Sequence, residues 1–107
     1  MSYAYLASVY YHPDPFERER RYLQAAQATV HLLKLGMWIY SPIVHCHHLS
    51  LIADLPKEID FWLAYDKAML EKASKLLILR TDRLKQSKGV AAEKAFAEEN
   101  NIPIEYI

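Results

Sequence analysis

One cysteine, Cys46, stands among 107 residues, so no disulfide can form within the chain. That suits a reducing compartment. There is no excess of positive charge either: 13 Lys and Arg balance 13 Asp and Glu. A nucleic-acid backbone finds no electrostatic footprint here, which leaves a small molecule or a protein as the expected partner. No apolar run approaches the roughly 20 residues that span a bilayer. The opening "MSYAYLASVY" lacks the basic region and long apolar core of a signal peptide. Internal repeats and low-complexity segments are missing as well. These absences point to a cytoplasmic protein that binds neither nucleic acid nor membrane. Glycine is scarce, with two, Gly36 and Gly89, and the position of each calls for a reason.

What is present is globular. Hydrophobic residues make up 52% and charged residues 24%, which fits one compact domain over residues 1–107. "YAYLASV" (3–9) reads as a first strand. Asp14 can cap a following helix that has Pro15 at its first position. Leu23, Ala26, Val30 and Leu33 then recur at helical spacing, and Gly36 ends that helix. "MWIYSP" (37–42) reads as a short second strand, and the His-rich segment 43–56 as irregular. Pro56 suits an early helical position, so a helix is expected from about Lys57 to Ala73. "KLLILR" (75–80) holds four consecutive large aliphatics, the mark of a strand covered on both faces. A polar loop leads to a helix near 88–100, and "IPIEYI" closes the chain as a strand. The order β-α-β-α-β-α-β predicts a flavodoxin-like or Rossmann-like α/β sandwich with a small, mainly parallel sheet of about four strands. The edge strands of so small a sheet invite cover by a second subunit, so a homo-oligomer is expected. Ligands of such sheets bind at the carboxyl ends of the strands, here the segments after strands 1 and 3.

Two carboxylates sit on the wrong faces. At three and four residues either way, Glu93 has Gly89, Val90, Phe96 and Ala97, and Asp66 has Trp62, Leu63, Met69 and Leu70. All eight neighbours are apolar, and burying an unpaired carboxylate costs several kcal/mol or more. Either acid could cap a buried loop or pair with an arginine such as Arg80. Both flank one buried strand, however, which favours a shared cleft. Ser87 is a suitable N-cap for the last helix, with Lys88, Gly89 and Val90 in its first turn. Exposed backbone N–H groups and the helix dipole make that turn fit for an anion, and Gly89 lets a ligand approach the backbone. Glu93 lies six residues on, about 9 Å along the axis. A nucleotide with its phosphate at Ser87 would bring its sugar towards Glu93.

At these residues the sequence resembles the nucleoside 2-deoxyribosyltransferase superfamily, in particular a branch of short bacterial and phage proteins. The likeness covers nearly the whole chain. It begins with "YLAS" at the end of the first strand, includes "SPI" with spaced histidines and "FWLAYDKAML", and ends in "SKGVAAEKAFAEENNIPI". Ser-x-Gly-Val-x-x-Glu is its most specific part. The resemblance implies Glu93 as a nucleophile at C1′ of a nucleoside or nucleotide, and Asp66 as the group that protonates the leaving base or positions the sugar. It implies Tyr5 beside the nucleophile, and Ser8, Ser87, Lys88 and Gly89 as ligand and phosphate contacts. The activity implied is an N-glycosidase or 2-deoxyribosyltransferase. The chain departs from the family at Ser74, where an aspartate is common. A second reading is therefore kept, in which the same pocket binds a nucleotide or ADP-ribose-like ligand without turning it over.

Other features have plainer readings. "HCHH" (45–48) would place His45 and His47 on one face if extended, but a structural zinc site wants four ligands at defined spacing. The segment is read as a polar loop at the pocket mouth, and no metal or cofactor is expected. Tyr11 and His12, after strand 1, join His45 and His47 as candidate rim residues. "RERR" (18–21) reads as a solvated helix face, with Glu17 reaching Arg20 and Arg21. Trp38 and Trp62 read as core or interface residues.

Overall fold

The computed structural model describes residues 2–53, 55 and 59–107. The elements run β1 (Ala4–Ala7), α1 (Pro15–Lys34), β2 (Ile39–Tyr40), α2 (Pro42–Ile52), α3 (Ile59–Glu71), β3 (Lys75–Ile78), α4 (Lys88–Glu99) and β4 (Ile104–Tyr106), with a short 3-10 turn at Leu84–Gln86. The four strands form one parallel sheet in the order β2-β1-β3-β4. This is the flavodoxin-like α/β sandwich expected from the alternating pattern. The strand order reverses between β1 and β3, so the crevice beyond their carboxyl ends is the switch point of the sheet.

The sheet divides the core in two. Tyr5, Ala7 and Val9 face one side with Leu76 and Ile78, and meet Leu70 of α3 and Val90 and Ala97 of α4. Ala4, Leu6 and Leu77 face the other side and meet Leu32 of α1. Strand alternation fixes this sorting, and the aliphatic run of β3 is buried on both faces as expected, with Leu76, Leu77 and Ile78 fully buried. Register carries it across strands. Tyr5 lies opposite Tyr40 and Leu76, so these three share the α3/α4 face.

The helix ends follow their local chemistry. Asp14 accepts from Phe16 N with Pro15 next in line, and Gly36 takes a φ of +86° just past the end of α1. Ser87 Oγ accepts from Val90 N and starts α4.

Three expectations are corrected. The His-rich segment is not irregular: Pro42–Ile52 is a helix, α2. Ser41 Oγ accepts from Val44 N and Pro42 takes the first turn, repeating the start signal of Asp14 and Pro15. An additional helix therefore enters the predicted order. Secondly, the buried stripe of α1 is Arg21, Ala25, Thr29 and Leu32, while Leu23, Val30 and Leu33 are about half exposed. Thr29 tolerates burial because its hydroxyl donates to Ala25 O. Arg21 tolerates it because it pairs with Glu17 and donates to Tyr11 O, so "RERR" is not wholly a solvated face. Thirdly, of the two readings of Trp38, core or interface, its 56% exposure removes the core one. The expected start of the third helix at Pro56 and Lys57 lies outside the described residues. No helix among the described residues is long and apolar enough to cross a membrane.

Candidate active site

On the α3/α4 face of the sheet, one residue from each of four elements comes together. β1 contributes Tyr5, a side chain with no exposed surface. α4 contributes Glu93, of which 6% is exposed. The Tyr5 hydroxyl donates to Glu93 Oε2. The sequence dictates this meeting. Tyr5 must point to the α3/α4 face by strand alternation, and Glu93 lies on the stripe of α4 that also buries Val90 and Ala97. α3 contributes Asp66 from the helix that packs against α4. β2 contributes Tyr40, whose ring lies 5.8 Å from that of Tyr5.

Burial dominates the electrostatics. It pushes Glu93 up to about 8, the neighbouring Asp66 adds to the rise, and the Tyr5 hydrogen bond opposes it. Burial alone raises Asp66 to about 6. Tyr5 is raised by its own burial and by the carboxylates of Glu93 and Asp66, so it stays a donor. Burial chiefly raises Tyr40 as well. The Cys46 thiol is pushed up to about 11 by burial and by Asp66. That is the opposite of what a cysteine nucleophile needs.

Three buried side-chain oxygens have no hydrogen-bond partner among the described residues: Ser8 Oγ, Tyr40 Oη and Asp66 Oδ1. Tyr65 lies close enough to bear on the titration of Tyr40, yet the pair lacks hydrogen-bond geometry. Unpaired buried polar atoms are costly and uncommon. Tyr40 and Asp66 border Tyr5, and Ser8 follows the last residue of β1. The lone pairs and protons of Tyr40 and Asp66 are those a polar ligand beside Tyr5 and Glu93 would use.

The start of α4 faces the same end of the sheet. Gly89 is one helical turn before Glu93 and so shares its face. A Cβ built on Gly89 would meet nothing within 4 Å, so nothing in the chain itself requires glycine there. The backbone lies open to an approaching group. Lys88 is exposed beside it.

The candidate rim residues scatter. His45 stays close, its ring 5.8 Å from Tyr40 and 6.2 Å from Tyr65. Tyr11 points outwards at 78% exposed, and its carbonyl is held by Arg21. His12 Nδ1 accepts from Asp14 N within its own turn. Arg18 donates to His12 O and Pro13 O, which ties down the segment after β1. His47 is buried rather than on a rim: Tyr22 stacks on it, and its two nitrogens meet Tyr10 and Glu19. Arg80 pairs with neither buried acid in the way the alternative required; it lies over the Tyr106 ring. Tyr40 was missed by the sequence reading. Its signal was the register of "IY" against "AY" on neighbouring parallel strands, which no periodicity within one segment reveals.

The chain belongs to a family described as a domain of unknown function (DUF1937), whose model matches residues 1–106. No curated protein matches it at a significant level.

Proposed function

We propose that this DUF1937 chain is a nucleoside or nucleotide N-glycosidase or 2-deoxyribosyltransferase, with Glu93 as the nucleophile at C1′. The observation that carries the reading is the buried pairing of the Tyr5 hydroxyl with Glu93, beside Asp66, at the switch point of the sheet. An apolar scaffold has no use for two carboxylates there, whereas glycosyl transfer needs a carboxylate pair.

In this scheme Glu93 Oε1 attacks C1′. The C1′–N bond breaks, its electron pair leaves with the base, and the base takes a proton from Asp66. Water or a second base then attacks C1′ and gives its proton to the Asp66 carboxylate, and the C1′–O bond to Glu93 breaks to restore both acids to their starting forms. Tyr5 holds Glu93 oriented and partly offsets the burial that disfavours its charge. The α4 N-terminus, with Ser87, Lys88 and Gly89, receives the phosphate of a nucleotide. Tyr40 and Ser8 offer unpaired hydroxyls to the sugar or base. The test is incubation with a panel of nucleosides and their 5′-phosphates, read by chromatography for released base. Release that vanishes in Glu93→Gln supports the reading, and release that survives the substitution refutes it.

One observation favours the second reading, a pocket that binds a nucleotide or ADP-ribose-like ligand without turnover. With Glu93 raised to about 8, most of the unliganded chain carries it uncharged at neutral pH. A neutral Glu93 donates a hydrogen bond to a ligand but does not attack. Nucleotide retained unchanged, with no base released, would select this reading. The lone cysteine and balanced charge support a cytoplasmic protein without nucleic-acid or membrane partners. The half-exposed Leu23, Val30 and Leu33 of α1 support a homo-oligomer.

A further inference from the structure

A second group of chemistry-bearing side chains lies where α1 meets α2. It is independent of the reading of Glu93. Glu19 comes from the second turn of α1, and His47 and His48 come from α2. One ligand atom from each lies within 4.8 Å of the others. His47 Nε2 is 2.9 Å from Glu19 Oε1, and His47 Nδ1 is 2.6 Å from the Tyr10 hydroxyl. Tyr22 gathers the two histidines, its ring centroid 4.5 Å from His47 and 4.8 Å from His48.

We propose that Glu19, His47 and His48 form a site for a divalent transition metal of the zinc class, with Tyr10 as the outer partner of His47. Two imidazole nitrogens and one carboxylate oxygen suit zinc, cobalt or nickel, and are a poor match for calcium or magnesium, which prefer oxygen throughout. Three protein ligands leave a tetrahedral ion one open position. Water can reach it, because His48 is exposed and the Glu19 side chain is 48% exposed. Ligand atoms about 2.0–2.2 Å from one zinc ion lie roughly 3.3 Å apart. The Glu19–His47 separation is already near that, and the exposed His48 side chain closes the rest by rotation.

The partners of His47 suit the change. The geometry lets one His47 tautomer donate from Nε2–H to Glu19 while Nδ1 accepts from the Tyr10 O–H. With metal, Nε2 gives its lone pair to the ion and Nδ1–H donates to Tyr10 Oη. An outer partner that fixes a ligating histidine is the usual arrangement of such sites. The ion would tie α1, α2 and the segment after β1 together, so it should also stabilise the fold in proportion to its concentration.

The test is calorimetric titration of the full chain, purified without an affinity tag and stripped by chelator, with zinc chloride alone. Cobalt chloride provides a visible spectrum that reports coordination. We expect one saturable site per chain and a raised melting temperature. Affinity should fall roughly tenfold or more in His48→Ala and in Glu19→Gln, both changes at accessible side chains, and about 10–100-fold in Tyr10→Phe. His31→Ala, elsewhere on α1, should change nothing. No saturable binding would overturn the proposal, as would binding indifferent to His48→Ala and Glu19→Gln, or binding lost in His31→Ala.

Discussion

Glu93→Gln should make the protein more stable, and increasingly so as pH rises. The buried carboxyl is raised from its ordinary 4.5 to about 8. Between those values the folded chain holds a proton that the unfolded chain has released. Stability therefore falls with rising pH across that window: the contribution is intact below about 4.5 and lost as pH passes about 8. The interval corresponds to about 5 kcal/mol in full, at about 1.4 kcal/mol per pH unit, and to about 3 kcal/mol at pH 7. A small domain has about 5–15 kcal/mol altogether, so the effect is large. Glutamine keeps an oxygen to accept from Tyr5 and cannot ionise. Its unmatched amide adds a penalty that does not vary with pH. Urea denaturation at pH 5, 7 and 8.5, followed by circular dichroism, gives the comparison. The wild type should lose several kcal/mol that the variant keeps. Asp66, raised to about 6, titrates in both proteins and largely cancels. Parallel pH profiles for the two would refute the claim that the structure holds Glu93 against its own ionisation.

Other outcomes follow from the same geometry. If the pair Glu93 and Asp66 works with one shared proton, kcat/KM should be bell-shaped with limbs near 6 and 8. Asp66→Asn should remove the descending limb and move the remaining one below 8, whereas a flat profile from about pH 5 to 9 would contradict the assignment. Gly89→Ala should fold normally and gain up to about 1 kcal/mol from helix propensity, because nothing in the chain meets the added Cβ. It should still weaken nucleotide binding, and unchanged affinity would remove Gly89 from the site. Ser87→Asp keeps the N-cap, so thermal stability should hold while affinity for a phosphomonoester drops relative to its nucleoside. Cys46, raised from 9.0 to about 11, should react roughly a hundredfold more slowly with iodoacetamide than an unperturbed thiol, by its thiolate fraction. Rapid alkylation at pH 7 would show that the thiol is not buried as described.

The fold was legible where one periodicity held. β3 read correctly because four aliphatics in a row fit a strand covered on both faces, and α4 because Ser87 caps a clear apolar stripe. α2 was hidden by its composition: histidines and β-branched residues are middling helix formers. Its start signal, Ser41 with Pro42, was the same kind as that of α1 and would have found it. On α1 the larger aliphatics suggested one stripe, but the sheet face buries Ala25, Thr29 and Leu32 instead. Glu93 and Asp66 stood out because both interrupt apolar faces. Tyr40 and the Tyr10–His47–Glu19 chain did not, because their meaning depends on which strands and helices become neighbours. No single segment of sequence carries that information.

The most direct measurement pairs wild type with Glu93→Gln in one incubation series. Each is mixed with the nucleoside and nucleotide panel, and both released base and protein-bound ligand are quantified by chromatography. The account predicts base from the wild type alone, with the variant retaining intact nucleotide in the pocket that Tyr5, Tyr40 and Asp66 surround. Equal release from both proteins would contradict Glu93 as nucleophile. No release together with no retained nucleotide would contradict the pocket itself.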